Sequence, residues 1–321
     1  MRLLAGLAVV FLLVAPPLLP VYHQNVLTFT VLMAYLGVAW NILGGLTGAG
    51  SFGHSAFFGI GAYTSSMLYI TMRLTPWAGM LVGAVMSAIA AAVFGYLTFR
   101  FGIKGHFFFL ATIAFAEILR NIVMNTEALG GARGLPIPLT EEDSLIDFQF
   151  HTWRAAYYYI ALMLLVFGLA VFRLIHTSSL GLRLMAIKDD EEKAACLGVN
   201  TLAHKVLAFV ISAAMTSIGG TFYAQYVLYV EPTVVLGVPF SVQIVLLTVI
   251  GGLGTFIGPV LGAFIMQPII EYMRIFFGRF GGLDLMLAGI ALILVSLLKP
   301  SGIIYMLAPS STAKAKTLAR T

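Results

Sequence analysis

The chain is a succession of apolar runs, each about the length of a bilayer crossing and separated from the next by a polar break. A helix needs about 20 mostly apolar residues to span the hydrocarbon core of a membrane. Such runs sit near Leu3–Val21, Val26–Leu43, Phe52–Met72, Trp77–Phe99 and Phe107–Met124, then near Tyr157–Ile175, Leu207–Tyr229, Val242–Gly252, Thr255–Phe277 and Leu285–Leu298. Composition agrees, with 60% of residues hydrophobic and 10% charged, where a soluble domain carries about a quarter charged. A chain like this cannot cover its surface with polar groups, so lipid is its solvent. The expectation is an all-α polytopic membrane protein of about ten transmembrane helices, forming a single transmembrane domain over residues 1–321. The eighth run is short and ends in glycine, which predicts a broken or re-entrant segment. Irregular backbone at that depth is tolerated only where protein buries it or where it lines a cavity. The first residues, "MRLLAGLAVVFLLVAPPLLP", have the make-up of a signal peptide but no clean small-x-small cleavage site, so a retained first span is expected.

Charge placement orients the spans. Arg100 and Lys104 lie in one connection, and Arg173, Arg183, Lys188, Lys193 and Lys205 in another. Lys299, Lys314, Lys316 and Arg320 lie in the tail. The connection 127–154 is instead dominated by Glu127, Glu141, Glu142, Asp143 and Asp147. Basic connections stay in the cytoplasm, which puts both termini and the loop at about 176–205 inside and the connection at about 127–154 outside.

Several chemistries are excluded. Cys196 is the only cysteine, so there is no intramolecular disulfide and no zinc site built on several thiolates. The six histidines are scattered without an HExxH pair, and no GxxxxGK[ST] loop occurs. No enzyme activity, no metal, no cofactor and no nucleic-acid partner are expected, and any ATP must be bound by another subunit.

Four stretches attract attention. Gly254, Gly258 and Gly262 are spaced i, i+4, i+8, and Gly79/Gly83 and Gly44/Gly48 repeat the spacing. It lets a second backbone approach one helix face, either as static packing or as a contact that moves during transport. "GGLTGAGSFGHSAFFGIGAY" (44–63) and "GGLGTFIGPVLGAF" (251–264) echo each other in the two halves of the chain. A two-fold internal repeat, of the kind that places a substrate path in transporters, and chance likeness between glycine-rich helices both remain open. In "GSFGHSAFFGIGAYTSS" (50–66), Ser51, His54 and Ser55 lie inside an apolar span, facing a translocation pathway or bonding a neighbouring helix. Glu117 and Arg120 stand at i, i+3 in "AFAEILRNIVMN", so they can pair on one face. A structural pair and a proton or ion relay are the two readings. The glycine-proline stretch "ALGGARGLPIP" (128–138) is a turn, part of an outer gate or a docking surface.

The most polar stretch is "KDDEEKAACLGVN" (188–200). Asp189 and Glu192 have the spacing of a capping box, and Gly198 is placed to stop a short helix. Such a helix buries little by itself and exposes the small residues Ala194, Ala195 and Cys196, suited to a groove on a partner; a solvated connecting loop is the plainer reading.

Here the chain resembles a known family. "EKAACLG" is similar to the cytoplasmic coupling motif of ABC importer permeases, with Glu192, Ala194 and Gly198 at the motif's spacing and Lys193 where the first Ala often stands. The longer stretch "TSSLGLRLMAIKDDEEKAACLGVNTLAHKVLAFVISAAMTSIGGTFYAQY" resembles the loop and following helix of LivM-type permeases of branched-chain amino acid importers. "GSFGHSAFFGIGAY" and "TVIGGLGTFIGPVLGA" resemble two further signatures of that family. The resemblance covers roughly 30–300. It implies the ABC importer permease fold and a subunit that moves Leu, Ile or Val across the bacterial inner membrane. The implied partners are two cytoplasmic ATP-binding subunits, a second related permease and an external substrate-binding protein. It also implies that Glu191, Glu192, Ala194, Ala195 and Gly198 belong to an ATPase-coupling loop. Relatives that carry urea or short amides, and a secondary transporter or channel working alone, are the alternatives.

Overall fold

The structure is a computed structural model. It describes residues 19–140 and 142–277, together with 286, 289–290 and 303–304. Nearly all of the first apolar run, most of the last one, Glu141 and the basic tail lie outside the described residues.

The other eight runs are helices. In chain order these are α1 (Val21–Thr47), α2 (His54–Met72), α3 (Pro76–Arg100), α4 (His106–Met124) and α5 (Ala155–Thr177). Two short helices follow, α6 (Ser179–Asp189) and α7 (Glu191–Cys196). Then come α8 (Thr201–Val227), the single turn α9 (Pro232–Val235), α10 (Val238–Gly252) and α11 (Gly258–Phe277). Six stretches among the described residues are long and apolar enough to cross a membrane: α1, α3, α4, α5, α8 and Pro232–Gly252. Among the described residues, strands are confined to β1 (Leu135–Pro136) and β2 (Tyr229–Val230). They pair antiparallel with Leu135 opposite Val230 and so tie the acidic connection to the end of α8.

α1 is the axis of the molecule. It is hydrophobic all round, as a helix buried on every side must be, and every residue from Thr30 to Thr47 is buried. α5, α6, α8, α10 and α11 surround it. α2, α3 and α8 form a second bundle on small residues. A Cβ on Gly61 would overlap the Ser217 carbonyl of α8, and one on Gly83 would fall 3.2 Å from the Gly61 Cα. At Gly79 it would meet Ser65 at 2.9 Å. Gly79 and Gly83 thus place α3 against α2 at backbone distance, the geometry that small-xxx-small spacing permits. The outer faces of α3 and α5 carry large exposed apolar side chains, among them Leu81, Val85, Ile89, Val93, Met163 and Val166.

Two expectations change. Gly254, Gly258 and Gly262 do not share a helix face. α11 begins at Gly258, and Gly254 lies in the preceding turn with φ +76°, a left-handed conformation that favours glycine. Gly262 does pack tightly, since a Cβ there would overlap the Leu247 carbonyl of α10. Gly48 likewise caps the end of α1 at φ +74° and does not extend a helix face with Gly44. The short eighth run is longer than its apolar core, starting at Val238, and its 15 residues span about 22 Å against a hydrocarbon thickness of about 30 Å. A break at Leu236–Gly237 separates it from α9, as expected of a broken segment. The irregular stretch 48–53 before α2 is buried or half-buried at all but its first residue.

Candidate functional site

The polar loop between α5 and α8 is built from caps. Ser178 opens α6, its Oγ accepting the Gly181 N–H. Asp190, in extended backbone, opens α7, its Oδ1 accepting the N–H groups of Glu192 at 3.1 Å and Lys193 at 3.0 Å. The cap is therefore Asp190 and not Asp189, which is the last residue of α6, and Lys193 occupies the position a capping box would give to Glu192. Lys193 Nζ closes on Asp190 Oδ2 at 2.9 Å. The backbone hydrogen bond from Lys193, then its side chain, hold the Asp190 carboxyl below the usual range. Gly198 ends α7 at φ +85°. Its N–H reaches the Ala195 carbonyl at 2.9 Å and the Val199 N–H reaches Ala194 at 3.1 Å, the paired bonds of a Schellman stop. Six residues could not hold a helix by propensity; capping at both ends and tertiary ties do so.

The principal tie is Glu191. Its Oε1 lies 2.7 Å from Lys205 Nζ in the first turns of α8, and its Oε2 lies 3.1 Å from Lys104 Nζ in the turn between α3 and α4. Burial pushes the Glu191 carboxyl up, but the two ammonium groups outweigh it and hold the pKa below the ordinary value. Lys205 is only 5% exposed, with Nζ 4.6 Å from the Phe99 ring centroid. A second tie comes from α6. Lys188 Nζ donates to the Gly45 carbonyl of α1 at 2.8 Å. Beside it, Asn41 of α1 accepts the Gly254 N–H at 2.8 Å and donates to the Thr255 carbonyl at 2.9 Å. The glycine-rich segments 44–63 and 251–264 thus touch at Gly45 and Gly254, next to the loop.

Ala194 is buried on the inner side of α7, whereas Glu192, Lys193, Ala195, Cys196, Leu197 and Gly198 are exposed. Leu197 is 83% exposed, an apolar knob beside small residues. The sequence pattern brought out the motif residues and marked Lys104, Lys188 and Lys205 only as cytoplasmic charges, and it missed Asn41 and Leu197. A polar amide in the middle of an apolar run was the available signal for Asn41.

The other candidates lie elsewhere. His54 is fully buried, with Nε2 2.8 Å from Ser212 Oγ and Nδ1 3.2 Å from Ser51 Oγ. Ser212 spends its own proton on the Ala39 carbonyl at 2.7 Å, so Nε2 is the donor and Nδ1 accepts from Ser51. The Ser55 N–H donates to Ser241 Oγ of α10 at 2.7 Å, and its hydroxyl is buried without a partner among the described residues. Glu117 and Arg120 pair at 2.6 Å on α4, each about a third exposed. Among the described residues no group of three His, Cys, Asp or Glu is placed to hold a metal.

Residues 22–296 match the family described as branched-chain amino acid transport system, permease component. The chain is similar to the high-affinity branched-chain amino acid transport system permease protein LivM of Escherichia coli (strain K12), 27% identical over 90% of this chain and 72% of that one. LivH of the same organism, also a high-affinity branched-chain amino acid transport system permease protein, is 25% identical over 75% of this chain and 82% of its own. The L-arabinose transport system permease protein AraH of Escherichia coli (strain K12) is 24% identical over 60% and 54%. No solved structure matches.

Proposed function

This chain belongs to the family of branched-chain amino acid transport system permease components, and on that premise we propose that it is a permease subunit of an ATP-driven importer moving Leu, Ile or Val into the cell. It does so as one transmembrane domain over residues 1–321, with about ten spans and two related halves in the bacterial inner membrane. The observation that carries the reading is α7: a doubly capped helix presenting Ala195, Cys196 and Leu197 outward while Glu191 and Lys188 fasten its surroundings to α8, α1 and the α3–α4 turn. An ATPase subunit that grips α7 moves a part tied to the membrane helices, and a two-state element biased in this way is what ATP-driven switching requires. The basic end, with both termini and α7, faces the cytoplasm. The connection 127–154 faces the external binding protein, and a second permease completes the pathway. Ser51, His54 and Ser55 stand close to that pathway. Both ring nitrogens of His54 are engaged, by Ser51 and Ser212.

The test is uptake of labelled leucine and of urea in cells with and without the gene, with ATP depleted or the proton gradient collapsed. ATP-dependent loss of leucine uptake is expected. Loss of urea uptake alone would overturn the substrate, and dependence on the proton gradient with ATP dispensable would leave a self-sufficient transporter.

A further inference from the structure

We infer that the outward face of α4 is the surface against which the second permease chain packs, an inference that rests on the importer assembly proposed above. α4 turns Phe108, Thr112, Ala116 and Val123 to the body of the molecule, where they are buried. Its other side runs through Leu110, Ala114, Ile118, Asn121, Ile122 and Asn125, all exposed. Glu117 lies among the last five of these on an open, nearly flat surface. At 1.5 Å per residue Glu117 stands about 16 Å from the start of α4 and about 10 Å from its end, inside a hydrocarbon layer about 30 Å thick.

The polar atoms on this face are only half used. The amide nitrogens of Asn121 and Asn125 each donate to the carbonyl four residues back, at 2.8 Å and 2.7 Å. Their oxygens accept nothing among the described residues. Arg120 Nε is buried with no acceptor. By contrast the exposed membrane-depth faces of α3 and α5 are apolar, as Leu81, Val85, Ile89, Val93, Met163 and Val166 show. Lipid tails offer no hydrogen bonds, and a face bearing an ion pair and the Asn121 amide at membrane depth, with Asn125 at its outer edge, is strongly disfavoured against them.

Of the other subunits of the assembly, the second permease is the one that reaches this depth. Soluble ATPase subunits and an external binding protein do not reach that far into hydrocarbon. A second membrane-embedded permease does, with a helix offering hydrogen-bonding or small side chains at the depth of Glu117 and Asn121. The exposed apolar side chains Phe107 and Leu110, 74% and 61% exposed, extend the same face toward the α3–α4 turn.

The experiment places a photo-reactive benzoyl-phenylalanine at Ile118, at Ile122 or, as a control, at Val166 of α5. Cells carry the complete transporter and ATP-driven uptake is recorded before irradiation. Adducts with the second permease are expected from the first two sites and not from the third. Adducts with lipid or with this chain alone, or no adduct at all, would overturn the assignment. The pair Asn121→Leu and Asn125→Leu provides a second readout, because it makes α4 a better lipid-facing helix. Membrane levels of the chain should hold while co-purified second permease falls roughly tenfold; undiminished co-purification overturns the surface. Normal uptake with lipid-only adducts sinks this surface and leaves the importer standing. Absent ATP-driven uptake sinks both.

Discussion

Glu191 holds two ammonium groups at once, and one of them, Lys205, has almost no access to water. Replacing one partner of a buried pair leaves the other charge uncompensated, at a cost of up to about 3–5 kcal/mol. Partial exposure of Glu191 and Lys104 reduces this, so Glu191→Gln should loosen α7 by about 2 kcal/mol. Adding Lys205→Met should restore part of it. Amide hydrogen exchange at Ala194–Leu197 reads both, and unchanged protection in Glu191→Gln would remove the tie. The pH dependence has a definite sign. A carboxyl held below its ordinary value of 4.5 contributes fully above that value and loses its contribution as pH falls through the depressed folded value. Protection of α7 should therefore be flat through neutrality and fall away only in acid, below the ordinary carboxylate value. None of this geometry was legible in the sequence beyond the motif. Two adjacent aspartates gave two phases for the α7 cap, and only the extended backbone at Asp190 decides between them.

At the scale of elements, glycines divide into two kinds that spacing alone does not separate. Gly61 sits where α2, α3 and α8 meet and a Cβ has nowhere to go, whereas Gly198 has φ +85° and open space around it. Gly61→Ala should cost about 3 kcal/mol or more through overpacking, and Gly198→Ala about 1 kcal/mol through backbone strain. Thermal unfolding in detergent separates them, and equal losses would contradict the seam. The regularity that joined Gly254 to Gly258 and Gly262 in the sequence was real as spacing, but a turn and a helix face can share it. The apolar runs were legible because bilayer thickness imposes their length. The contact of Lys188 with α1 was not, because its partner is a backbone carbonyl that no side chain announces. Lys188→Met should leave assembly and ATP hydrolysis in place and raise ATP consumed per substrate moved at least about threefold, with Lys188→Arg recovering part of the coupling. An unchanged ratio would show that α6 transmits nothing through Gly45.

For the whole molecule, the unequal ends supply an orientation and the chain carries its own probe. Cys196 is the only cysteine and is exposed on α7. A membrane-impermeant maleimide should label it in inside-out vesicles and not in right-side-out ones, and bound ATPase subunits should slow the labelling. Labelling from the outside would invert the proposed topology.

The enclosure of α1 also bears on how the protein is made. Asn41 finds its partners at Gly254 and Thr255, 213 and 214 residues further along the chain. At a synthesis rate of about 5–20 residues per second, its amide waits in the membrane for roughly 10–40 seconds before the segment that satisfies it has even emerged. The axial helix is thus the part of the nascent chain longest in need of a temporary companion, and the stage at which a membrane insertase or a quality-control protease has most time to act on it.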